Sequence, residues 1–134
     1  MGSPGEHAVR VFSEAVTAGD LETAIEVCHP EIEFMSVLAV SGRRYRGHAG
    51  IREYFDDVAS AWAEWRVEVH RIVAGPDGRV AIVMSMHVRG KESGAILSER
   101  TDHIWTLKDG RLLRNEPFRE PGAALRELGV EPSM

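Results

Sequence analysis

The stretch Ile51-Arg52-Glu53-Tyr54-Phe55-Asp56-Asp57-Val58-Ala59-Ser60-Ala61-Trp62 sets Ile51, Tyr54, Phe55, Val58, Ala59 and Trp62 at i, i+3, i+4, i+7, i+8 and i+11. That is one apolar face of a helix, and it needs a broad surface to pack on. The surface follows at once. Arg66 to Ala74 reads as a strand, Gly75-Pro76-Asp77-Gly78 as a turn, and Arg79 to Arg89 as a second strand in which Val80, Ile82, Met84, Met86 and Val88 alternate with Ala81, Val83, Ser85 and His87. A loop from Gly90 to Gly94 leads into a long strand, Ala95 to Leu107. Lys108-Asp109-Gly110 turns it into a last strand, Arg111 to Phe118, and Ala123 to Leu128 reads as a short terminal helix stopped by Gly129.

Upstream of the quoted helix, Val9, Phe12, Ala15 and Val16 fall at helical spacing up to Gly19. Asp20 then caps a short second helix with Leu21, Ala24, Ile25 and Cys28 inward, ended by His29-Pro30. Glu31 to Val40 is β-like, and Gly42 to Gly47 reads as a turn and a short return strand. Helices first and hairpin-linked strands after them indicate α+β: a strongly curved, mostly antiparallel sheet wrapped as a cone around the long helix, with two N-terminal helices and a short C-terminal one. A cone has an open mouth, and a concave apolar mouth with a few polar groups is a default ligand site.

The chain of 134 residues has room for one domain, expected over residues 6–130, with residues 1–5 a flexible extension that has the look of a cloning remnant. At 43% hydrophobic and 28% charged it is neither a disordered tail nor a membrane protein. The net charge of -5, with basic residues scattered, argues against a nucleic-acid partner. A single cysteine, Cys28, excludes an internal disulfide, and the start lacks a secretory pattern, so a cytoplasmic location is expected. The six histidines form no HxH or HExxH pairing, so no metal is expected. Ser13, Ser36 and Ser85 sit in no nucleophile elbow.

Several segments in order carry a resemblance: Ala18-Gly19-Asp20-Leu21, His29-Pro30-Glu31, Tyr45-Arg46-Gly47-His48-Ala49-Gly50-Ile51-Arg52-Glu53-Tyr54-Phe55, Ser93-Gly94, and His103-Ile104-Trp105-Thr106-Leu107-Lys108-Asp109-Gly110-Arg111. From about Ala8 to Val130 the chain resembles the SnoaL-like branch of the nuclear transport factor two superfamily, which includes ketosteroid isomerases. The resemblance implies a cystatin-like α+β cone with an apolar pocket, and a homodimer packed through the outer sheet face. It implies no single reaction, because this superfamily reuses the pocket for isomerisation, cyclisation, dehydration, epoxide hydrolysis and plain binding.

Carried over by position, the protonated aspartic acid of the isomerase oxyanion hole falls on Asp102, while the tyrosine donor falls on Phe12 and the general base near Met35. A steroid isomerase is therefore not expected. Arg100-Thr101-Asp102 has the Arg-x-Asp look of the epoxide hydrolase, but that motif falls one strand earlier, near Met84 and Met86. Periodicity leaves both faces of the long strand open, since each carries apolar residues. The resemblance chooses the face with Arg100, Asp102, Ile104 and Thr106 for the pocket, and leaves Trp105 for the dimer interface. Asp102 is then the candidate acid or hydrogen-bond donor, with Arg100 and Asn115 positioning. Paired with Arg100, Asp102 would instead be a structural ion pair, and Asn115 a polar edge residue. Glu116 and Arg119 are further candidates at the mouth. Phe12, Phe34, Met35, Tyr54, Phe55, Ile82, Met84, Met86 and Ile104 are the expected apolar lining. Two readings follow: a cofactor-free isomerase, cyclase or dehydratase acting on an apolar, carbonyl-bearing molecule, or a non-catalytic ligand-binding or dimerisation module.

Overall fold

The computed structural model describes residues 3–36 and 43–132. Helix α1 (Pro4–Ala18) begins at a reciprocal cap: the Glu6 N–H donates to the Ser3 hydroxyl and the Ser3 N–H to the Glu6 carboxylate. The other Glu6 oxygen accepts from the Ala74 N–H, which ties the helix start to the sheet. Ser3, Pro4 and Gly5, expected in a flexible extension, are thus part of the fold. Gly19, with φ of 71°, closes the helix in the left-handed conformation that a residue without Cβ adopts freely. Asp20 caps α2 (Leu21–Glu26). This helix ends before the expected His29-Pro30, because Cys28 already opens β1 (Cys28–Met35). The later part of the expected strand to Val40 and the turn at Gly42 lie outside the described residues, and the return strand is β2 (Arg44–Arg46).

Helix α3 (Gly47–Ala61) carries the stripe read from the sequence as far as Val58; Ala59 is exposed, and Trp62, expected on the helix, already opens β3 (Trp62–Ala74), followed by β4 (Val80–Gly90), β5 (Ile96–Lys108), β6 (Arg111–Phe118) and α4 (Ala123–Glu127). The six strands form one sheet in the order β2-β1-β6-β5-β4-β3, antiparallel except for the parallel pairing of β1 with β6. Extra residues in β3, at Ala63 and His70, and in β6, at Leu113, bend the sheet, and α1 and α3 fill the concave side. Gly50 makes that packing possible: a Cβ there would stand 2.9 Å from the Tyr45 carbonyl carbon.

Two apolar clusters share the sheet. The larger, on the concave side, joins Val9, Phe12 and Val16 of α1, Ile51 and Tyr54 of α3, and Phe34, Ile82, Trp105 and Leu112. The smaller sits on the convex side, where Leu125 and Leu128 cover Ala81, Val83 and Ile104. β4 is therefore buried on both faces along its first half, which explains why its apolar run is continuous there.

The register of β4 with β5 overturns one expectation. His103 stands opposite Ile82 and Asp102 opposite Val83. Since directly opposed residues share a face, His103 and Trp105 lie on the concave side with Ile82, while Arg100, Asp102 and Ile104 lie on the convex side. Trp105, expected at an outer dimer interface, is instead buried, stacked on Phe34 at 5.9 Å and edge-on to Phe12 at 5.3 Å.

Candidate functional site

A cleft opens on the concave side with about 480 Å³ of atom-free space including its mouth. Phe12, Phe34, Met35, Tyr54, Ile82, Met84 and Met86, all named as candidate lining above, border it. Phe55 lines the neighbouring groove beside Tyr54, and Ile104 lies under α4 on the far side of the sheet. Ser13, Val16, Ser36, Trp65, Val67, His103 and Trp105 complete the wall. No charged side chain is among these described lining residues.

Asp102 and Arg100 are absent from the cleft and occupied with each other. The Arg100 guanidinium donates to both carboxylate oxygens, from Nε at 3.1 Å and from Nη2 at 3.0 Å, and the Gly122 N–H adds a third contact at 3.4 Å. Asp102 is 1% exposed, so this fork compensates its burial and anchors the approach to α4. The aspartic acid expected as a pocket donor is a structural ion pair. Glu116 and Arg119, the other candidates, are exposed outside the cleft.

Asn115 has the role that binds the site together. Its Oδ1 accepts from the Met35 N–H at 2.8 Å and its Nδ2 donates to the Met35 carbonyl at 3.0 Å. The side-chain amide thus supplies the rung that joins β6 to β1 just past their last backbone pairing, Glu33 with Arg114. This two-point pairing also decides which way the amide faces, because turned over it would set N–H against N–H and oxygen against oxygen. The remaining Nδ2 hydrogen meets His103 Nδ1 at 3.0 Å. Nδ1 must accept it, so the ring proton resides on Nε2.

That Nε2–H is buried and has no hydrogen-bond partner among the described residues. Burial pushes the His103 pKa down to about 4, against the smaller opposing pull of the Asp102 carboxylate. The imidazole is neutral at pH 7 and offers a fixed donor from an apolar wall. Burial likewise holds the Tyr54 hydroxyl above its usual range, reinforced by Tyr45 and offset in small part by the Trp65 indole. The Trp65 N–H is itself buried and, short of hydrogen-bond geometry toward Tyr54, unpartnered. Ser13 is satisfied by the Val9 carbonyl at 3.0 Å. Among the described residues, no group of three or more His, Cys, Asp or Glu side chains is placed to hold a metal. No helix among them is long and apolar enough to cross a membrane.

Fold and site together invite comparison with known proteins. The family model described as SnoaL-like domain matches residues 9–115. The chain belongs to the SnoaL-like family. Solved structures agree on the fold of this SnoaL-like protein. TerC, co-crystallised with polyporic acid, is 24% identical with a TM-score of 0.75, covering 94% of this chain and 98% of its own. A putative polyketide cyclase from Xanthomonas campestris pv. campestris is 16% identical, with a TM-score of 0.69 and coverage of 94% and 95%. A protein from Mycobacterium tuberculosis in complex with estradiol-17beta-hemisuccinate is 14% identical, with a TM-score of 0.74 and coverage of 88% and 95%. Curated proteins yield no match to this SnoaL-like chain.

Proposed function

We propose that the cleft binds a small, flat, largely apolar molecule through a carbonyl or phenolic oxygen, and that the His103 Nε2–H is the donor to that oxygen. The observation that carries this reading is the tautomer-fixed donor, unpartnered among the described residues, in a mostly apolar wall. A buried donor without a partner costs about 1–3 kcal/mol, and a ligand oxygen recovers it. The neighbours solved with polyporic acid and with estradiol-17beta-hemisuccinate support small-molecule binding on this fold.

A neutral imidazole that donates to a carbonyl oxygen also stabilises the enol or enolate formed when a proton leaves the adjacent carbon. Isomerisation, cyclisation and dehydration of a carbonyl compound share that step, and the neighbour described as a putative polyketide cyclase fits it. His103 supplies polarisation without a cofactor, in the place the sequence reading gave to Asp102. A binding-only role is favoured by one specific observation: no carboxylate is among the described lining residues, so the wall offers no strong base.

Calorimetric titration with fused-ring phenols and ketones tests the reading. Wild type binds at least one phenol, His103→Phe weakens it by about 1–3 kcal/mol, and Asp102→Asn leaves the affinity unchanged. A phenol whose affinity depends on Asp102 and not on His103 would overturn the assignment. Turnover of a ketone in wild type, lost in His103→Phe, separates the catalytic reading from the binding-only one.

A further inference from the structure

We propose that the ligand site continues past Trp65 into the groove between the C-terminal ends of α1 and α3, and takes an elongated, uncharged, flat molecule with a hydrogen-bond acceptor at each end. The inner acceptor meets His103 Nε2 and the outer one meets the Trp62 indole. This inference rests on the reading of the cleft above and names its substrate class.

The groove holds about 570 Å³ of atom-free space including its open side, bounded by Val16 of α1 and the capping Gly19, by Val58 and Ala59 of α3, and by Trp62. It shares Val16, Tyr54 and Trp65 with the cleft, so the two spaces meet at a wall only one side chain thick. An aromatic path joins them. Ring centroids step from Trp62 to Trp65 at 5.8 Å, to Tyr54 at 6.3 Å, to Phe34 at 4.7 Å and to Trp105 at 5.9 Å. The first three ring pairs are tilted by 50–78° and the last is stacked at 14°, so the path offers a ligand's rings both aromatic edges and faces.

The buried side-chain polar atoms left without a partner on this surface have one sign. Among the described residues, the buried side-chain nitrogens and oxygens without a partner are Trp62 Nε1, Trp65 Nε1 and His103 Nε2. All three belong to residues that line the cleft or the groove, and all three are donors. A complementary ligand therefore carries acceptors. Neither lining includes a charged residue among those described, so a carboxylate would lose its hydration with no counter-ion. Ketone, quinone, phenol or ether oxygens at the two ends fit this surface.

The test compares β-naphthol, which reaches only the inner donor, with estrone, a rigid four-ring molecule with a phenol at one end and a ketone at the other. Binding is measured by calorimetry to wild type, Trp62→Phe, Ala59→Trp and His103→Phe. The first variant deletes the outer N–H, and the second fills the groove from an exposed position without entering the cleft. Estrone binds wild type more tightly than β-naphthol; Trp62→Phe weakens estrone by about fivefold and β-naphthol by less than about twofold. Ala59→Trp likewise selects against estrone, and His103→Phe weakens both probes. If β-naphthol binds through His103 but estrone gains nothing and ignores both groove variants, the extension is wrong while the cleft reading stands. If neither probe binds, or His103→Phe changes neither, the cleft reading fails and the extension falls with it.

Discussion

The neutral, buried His103 makes the stability of the chain depend on pH in a way that can be worked out. In the unfolded chain the imidazole takes a proton near its ordinary value of 6.5, and in the folded chain only near about 4. Between those values the unfolded state binds more protons, so acidification favours unfolding; above 6.5 neither state is protonated and the contribution is flat. The slope is about 1.4 kcal/mol per pH unit, so the full span amounts to about 3 kcal/mol. The perturbation is His103→Phe, which keeps a planar ring and deletes the titration. Urea unfolding of both proteins, followed by tryptophan fluorescence and far-UV circular dichroism, gives the difference in stability at each pH. From pH 7 to pH 4.5 wild type loses about 2–3 kcal/mol relative to His103→Phe, because other titrating groups cancel in the difference. A difference that stays flat, or one in which wild type gains stability on acidification, would show that His103 is not held neutral and would refute the tautomer argument.

Further expectations follow from the same contacts. Asn115→Asp replaces the donor to Nδ1 with an acceptor, so the ring proton moves to Nδ1, the His103 pKa rises and phenol affinity drops; NMR titration of the ring carbons reads the first two and calorimetry the third. Arg100→Ala leaves the Asp102 carboxylate buried without its fork and destabilises the chain by about 2 kcal/mol, discounted for the partial exposure of the arginine, with phenol affinity unchanged. Gly50→Ala drives a methyl group against the Tyr45 backbone and costs about 1–3 kcal/mol in urea unfolding, a larger effect than the helix propensity gained.

The helices and strands were legible because their periods are strong: the stripe from Ile51 to Trp62 and the alternation from Val80 to Val88 leave little choice. The faces of the long β5 strand were not, because Ile104 and Trp105 are both apolar and both buried, one under α4 and one against Phe12. What decides the matter is the β4–β5 turn. The Gly90 N–H donates to the Ala95 carbonyl, and Gly94 closes the loop at a φ of 68°. With that turn, even-numbered residues of β4 oppose odd-numbered residues of β5. Placing Val80, Ile82, Met84 and Met86 on the concave face therefore requires Trp105, His103, Thr101 and Glu99 on that face too, and sends Asp102 to the other. The turn was visible as Gly90 to Gly94, but its closing pair was not, and one residue of register moves every side chain to the other face. Asn115 was found as a residue and missed as a role. Its pairing with Met35 joins positions 80 apart in sequence, which no local pattern encodes.

The most direct test of the account is long-range proton–nitrogen NMR of the His103 ring at pH 7, alone and with β-naphthol. The account predicts a neutral ring with the proton on Nε2 and an unprotonated Nδ1, and a downfield move of the Nε2 proton when the phenol binds. A proton on Nδ1, an imidazolium ring, or a phenol that binds and leaves His103 unperturbed would contradict it.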